Sequence, residues 1–121
     1  MKILIAEDEP IMLRTIDLRL KKDGHETYLA EDGQSALEKI TDISPDLIIT
    51  DIMMPYASGL EIIGFVRGQQ AKKTPIIILS AVSQREAVVR AFQSGVKSYL
   101  IKPLKPDQIL RKTLEILKAN F

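Results

Sequence analysis

Asp46-Leu47-Ile48-Ile49-Thr50-Asp51-Ile52-Met53-Met54-Pro55 is the stretch that decides how the rest of the chain is read. Leu47, Ile48 and Ile49 form a continuous apolar run rich in β-branched residues, the pattern of a strand covered on both faces. The run stops at a carboxylate, and Pro55 soon afterwards cannot continue a central strand because it offers no N–H. Asp51 therefore sits at the carboxyl end of a buried strand, where open parallel sheets place their ligands. Taken alone, it could equally cap a loop. What the other strand ends carry decides between the two.

Upstream, Ile3-Leu4-Ile5-Ala6 reads as a first buried strand that ends in the acids Glu7-Asp8-Glu9. Pro10 suits a first helical turn, where its missing N–H costs nothing, and Leu13, Ile16 and Leu20 follow at helical spacing up to Gly24. Glu26 to Ala30 is a more polar strand, expected at a sheet edge. Asp32 caps a helix carrying Ala36, Leu37 and Ile40, and Pro45 leads into the central strand. Downstream, Ser58 and Gly59 open a helix with Leu60, Ile63 and Val66 on one face. Pro75 to Ser80 is a fourth buried strand, again ending in a polar residue. Ser83 and Glu86 have capping-box spacing for a helix carrying Ala87, Val88, Ala91 and Phe92 and ending at Gly95. Lys97 to Ile101 is a fifth strand, followed by Lys102-Pro103; Pro106 starts a last helix with Ile109, Leu110, Leu114 and Leu117 facing inward.

Strands alternating with helices predict an α/β fold: a doubly wound, five-stranded parallel sheet with helices on both faces and right-handed crossovers. The common strand order for such a sheet is 2-1-3-4-5, which sets strand one beside strand three at the switch point. Glu7 and Asp8 then come next to Asp51, and Ser80 and Lys102 end their strands on the same edge.

Composition excludes several classes of function. The 121 residues are expected to form one domain, 1–121, with 45% apolar and 27% charged residues, as in an ordinary soluble globular protein. Seventeen basic residues against sixteen acidic ones, with no basic stripe among aromatics, give no support for direct nucleic-acid binding. The absence of cysteine removes disulfides and thiolate metal sites, which fits a cytoplasmic location. No apolar run approaches the roughly 18 residues of a membrane span.

Three carboxylates in one cleft repel each other, by about 4 kcal/mol per pair at about 4 Å and an effective dielectric near 20. A divalent cation among them, or a proton on one, relieves this. Oxygen ligands without His or Cys favour a hard ion, and Mg2+ suits carboxylates completed by carbonyls, waters and a phosphoryl oxygen. An acidic run such as Glu7-Asp8-Glu9 is more often a solvated loop, but here two further polar groups end their strands at the same rim. The Lys102 ammonium and the Ser80 hydroxyl, with the cation, match the three oxygens of a phosphoryl group. A carboxylate can then attack phosphorus in line.

Glu7-Asp8, Asp51 with Met54-Pro55 and Gly59, Ser80-Ala81 and Tyr99-Leu100-Ile101-Lys102-Pro103 are together similar to the motifs of the receiver domain of two-component response regulators. The resemblance runs from Lys2 to about Lys118. It implies that Asp51 is the phosphoacceptor, taking its phosphoryl group from a histidine kinase phosphohistidine. Asp8, Asp51 and the backbone carbonyl of Met53 would hold Mg2+, with Glu7 acting through a water and Mn2+ able to substitute. Ser80 and Lys102 would bind phosphoryl oxygens, with a cis Lys102-Pro103 peptide. Ser80 and Tyr99 would be the switch residues, Tyr99 turning from exposed to buried and altering the face of the fourth helix, fifth strand and fifth helix. The only chemistry implied is the domain's own phosphorylation and autodephosphorylation, with Met53 and Val82 flanking the path of the attacking water. Expected partners are a sensor histidine kinase or phosphotransfer protein, and a downstream protein target or a missing output domain. The chain is then a stand-alone receiver or a piece of a longer regulator or hybrid kinase; Leu104 disfavours a winged-helix parent.

Two rivals share parts of this pattern. A haloacid-type phosphohydrolase wants a second acid at the position of Met53. An FMN-binding flavodoxin-like protein wants a phosphate-cradling loop where Glu7-Asp8-Glu9 would repel phosphate.

Overall fold

The computed structural model describes residues 1–52, 59–68 and 73–120. Its centre is the apolar run ending at Asp51. All of β3 (Leu47–Asp51) and all of β4 (Ile76–Ser80) are buried, and β1 (Lys2–Ala6) is buried beyond Lys2. Adding β2 (Glu26–Ala30) and β5 (Ser98–Ile101) gives a five-stranded parallel sheet in the order β2-β1-β3-β4-β5. The more polar β2 is an edge strand, as its sequence predicts. Among the described residues four helices connect the strands, α1 (Pro10–Lys22), α2 (Gly33–Ile43), α3 (Gly59–Gly68) and α4 (Arg85–Gln93), and α5 (Pro106–Asn120) follows β5.

Successive strand residues point to opposite faces, so one apolar run feeds two cores. Leu4, Ile48 and Ile78 pack with Ala36 and Ile40 of α2, Ile62, Ile63 and Val66 of α3, and Ala91 of α4. Ile3, Ile5, Ile49, Ile77 and Leu79 pack with Leu13, Ile16 and Leu20 of α1 and Ile109, Leu110 and Ile116 of α5. Both faces are therefore covered, and that is why the central strands carry continuous rather than alternating apolar residues.

Local signals fix the helix ends. Pro10 opens α1, and Gly24 follows its end at φ +86°. The Asp32 carboxylate accepts from the Ser35 N–H at 2.8 Å, capping α2 as its sequence predicts. The expected Ser83–Glu86 capping box does not form. The α4 helix starts at Arg85 with Gln84 as its N-cap and no side-chain cap, which leaves Ser83 too far upstream to reach the first-turn amides. Two residues expected to face inward are exposed instead, Phe92 at 47% and Leu114 at 48%. On α5, Thr113 and Ile116 take the buried positions, a row about one helical step round from Leu114. The short α4 fully buries Ala91 alone. Met53, Met54, Pro55 and Ser58, and the side chains of Leu60 and Leu117, lie outside the described residues.

Candidate functional site

All five strands run the same way, so their carboxyl ends share one rim. The chain leaves β1 at Ala6, and the Glu7 N–H is held by the Ala30 carbonyl of β2 at 3.0 Å. That anchor turns the Glu7 side chain into the molecule, where it is fully buried. Next to it, Asp51 ends β3 and is 6% exposed. Lys102, just past β5, reaches across both acids: its Nζ lies 2.7 Å from Glu7 Oε1 and 2.7 Å from Asp51 Oδ2. The Lys102–Pro103 peptide is cis, as expected. The Lys102 N–H donates to the Ser80 carbonyl at 2.7 Å, which ties the ends of β4 and β5 together.

Two buried carboxylates now share one ammonium. Burial pushes the Glu7 carboxyl up to about 7; the hydrogen bond from Lys102 works against that, and the charge on Asp51 adds to it. Burial also disfavours the charged form of Lys102, but its bonds to Asp51 and Glu7 outweigh this and its pKa is raised. Asp8 is exposed at the mouth of the cleft. One carboxylate oxygen from each of Glu7, Asp8 and Asp51 can be chosen so that all lie within 4.8 Å of one another. This all-oxygen donor set fits a hard divalent cation such as Mg2+. The Glu7 carboxylate, expected to reach the metal through a water, is also paired with Lys102 at 2.7 Å.

Ser80 and Tyr99 are linked through a single residue. Ser80 Oγ accepts from the Val82 N–H at 2.9 Å, and the Tyr99 hydroxyl donates to the Val82 carbonyl at 2.7 Å. Tyr99 is half-buried against the α2–α4 core, so its ring is already turned partly inward. Met53, expected to contribute its carbonyl, lies outside the described residues.

Two contributions are not legible from spacing. Val82 acts through its backbone, which no side-chain motif announces. Thr50, fully buried, donates its hydroxyl to the Asp51 carbonyl at 2.9 Å. A signal for Thr50 was present, since it is the polar residue in an otherwise apolar strand just before the terminal acid.

Comparison with known proteins agrees with this geometry. Residues 3–114 match the family model for the response regulator receiver domain. The response regulator ArlR of Staphylococcus saprophyticus is 36% identical over 119 residues, covering 98% of this chain and 53% of ArlR. The chain spans about half the length of curated relatives such as ArlR. Among solved structures, the receiver domain of Francisella response regulator 1452 superimposes with a TM-score of 0.92 at 32% identity, covering 99% of this chain and 98% of that one. The chemotaxis response regulator CheY4 of Vibrio cholerae gives 0.88 at 31% identity, with 95% and 97% covered.

Proposed function

Since this chain belongs to the response regulator receiver domain family, we propose that it accepts a phosphoryl group on Asp51 from the phosphohistidine of a sensor histidine kinase or phosphotransfer protein. The observation that carries this reading is Lys102 Nζ lying 2.7 Å from both Glu7 and Asp51, beside Asp8, at the carboxyl rim of the sheet. An Asp51 carboxylate oxygen attacks phosphorus in line. The P–N bond to the donor imidazole breaks as the new P–O bond forms. Lys102 neutralises charge on the transferring group, and the Ser80 hydroxyl donates to one of its oxygens. Asp8, Asp51 and the Met53 carbonyl, with Glu7 through a water, would hold Mg2+, or Mn2+ in its place, which would supply Lewis-acid stabilisation of the phosphoryl oxygens. The same site later admits water in line and releases phosphate, with Val82 beside the approach.

Signal leaves through the residues already linked. When Ser80 Oγ turns to a phosphoryl oxygen it releases the Val82 N–H, and the Val82 carbonyl is what holds the Tyr99 hydroxyl. Phosphorylation thereby favours one of two arrangements of the α4–β5–α5 face. Residues 1–121 act as one receiver domain in the cytoplasm, and the face is read by a downstream protein target or an output domain.

The test is incorporation of phosphate from a small acyl-phosphate donor, followed by intact mass. One phosphoryl group is expected on the wild-type chain with Mg2+. Asp51→Asn, or a chelator, should remove it. Unchanged incorporation in Asp51→Asn would end this reading.

A further inference from the structure

From the hydrogen bond at the end of β3 we infer that Thr50 is a positioning residue, whose buried hydroxyl fixes the peptide that carries Asp51 and thereby sets the rate of phosphoryl transfer; this rests on the function proposed above. The two neighbours of β3 do not end together. Pairing with β1 stops at Ala6 opposite Thr50, whereas pairing with β4 continues one residue further, Leu79 opposite Asp51. The last peptide of β3 therefore follows the end of its pairing with β1. Its N–H, from Ile52, donates to the Leu79 carbonyl at 3.2 Å. Its carbonyl, from Asp51, accepts from Thr50 Oγ1 at 2.9 Å. The peptide is thus gripped at both ends where the chain leaves the sheet.

The hydroxyl has no comparable use in the core. Thr50 is fully buried between Ala6 and Ile78 in register, and valine has the same shape without the polar atom. Were packing all that counted, valine would serve as well, because a buried hydroxyl must be hydrogen-bonded merely to recover what desolvation costs. Thr50 spends its bond on the carbonyl of the acceptor residue. In-line transfer depends on where the carboxylate starts, and small misplacements of reacting groups are costly.

The two halves of the side chain can be separated. Thr50→Val keeps the shape and removes the hydroxyl, and Thr50→Ser keeps the hydroxyl and removes a methyl. With an acyl-phosphate donor and Mg2+, Thr50→Val is expected to lower the saturating phosphorylation rate about fivefold, the worth of one ordinary hydrogen bond, with the half-saturating donor concentration little changed. Its urea midpoint should fall only by the loss of that one bond, since valine keeps the shape. Thr50→Ser should show a near-wild-type rate, with a midpoint lowered by the lost buried methyl. A folded Thr50→Val phosphorylated at the wild-type rate would overturn the inference, as would Thr50→Ser losing rate as valine does. If wild type itself takes up no phosphoryl group, it is the proposed function that fails, and that outcome is distinct from either.

Discussion

The two edges of the sheet handle polar groups in opposite ways. At the amino-terminal edge, partners are matched. The Lys2 N–H donates to Asp46 at 2.9 Å, and Arg67 spreads its guanidinium over the carbonyls of Thr74 and Gly95 at 3.0 and 2.8 Å. At the carboxyl edge, Glu7 and Asp51 compete for Lys102, and Asp8 adds a third carboxylate. The first edge is arranged to close the fold. The second keeps an excess of negative charge that stability alone does not call for, as the proposed phosphoryl and metal site would require.

Breaking the carboxyl edge should therefore damage chemistry first. Lys102→Met is expected to slow phosphorylation from a small acyl-phosphate donor by roughly 100-fold or more, the usual loss when one charge-stabilising donor is removed. A rate within a few-fold of wild type would make Lys102 no different from a surface lysine.

The same excess should appear in the dependence of stability on pH without divalent cations. Folded, Glu7 titrates at about 7 because it is buried; unfolded, it titrates near the ordinary 4.5. Between those values the folded chain holds a proton that the unfolded chain has released. Stability from this group is therefore full below about pH 4.5 and is lost as pH rises through about 7. The loss is on the order of 3 kcal/mol. Urea unfolding in chelator should show that slope in wild type and not in Glu7→Gln, which is neutral throughout. Equal slopes would place Glu7 with the well-matched groups of the other edge.

Arg67→Met tests the amino-terminal edge. Two bonds from a charged donor are lost, and stability should fall by about 2 kcal/mol with the phosphorylation rate unchanged. A fall in rate as large as that from Lys102→Met would dissolve the contrast between the edges. The smallest effect is expected at Ser44, the C-cap of α2, held at φ +53° in the left-handed region. Ser44→Gly should gain about 0.5–1 kcal/mol in urea unfolding at no cost to phosphorylation. A loss of stability would mean the serine side chain makes up for its strained backbone.

The amino-acid order reveals the carboxyl edge better than the details of the helices. Apolar runs that stop at Asp51, Ser80 and Lys102 report strand direction and strand ends together, and parallel topology then leaves these groups only one rim to share. Helix faces are harder to read, because the apolar residues on a helix can outnumber the positions facing the sheet. Phe92 and Leu114 were expected inside, yet the packing of α4 and α5 leaves both exposed. The direct Glu7–Lys102 pair was hidden for another reason. It depends on how the chain turns after Ala6, which a backbone bond to Ala30 on a third strand decides. The bond from Thr50 to its neighbour's carbonyl depends on one strand ending a residue before another, a matter of register that local sequence does not encode.

The most direct measurement locates the acyl phosphate. After reaction with a small acyl-phosphate donor and Mg2+, borohydride reduction converts a phosphorylated aspartate to homoserine, which peptide mass analysis places in the chain. Homoserine at position 51 and at no other acid is the expected result. Homoserine at position 8, or none in a chain that has taken up phosphate, would contradict the role given to Asp51.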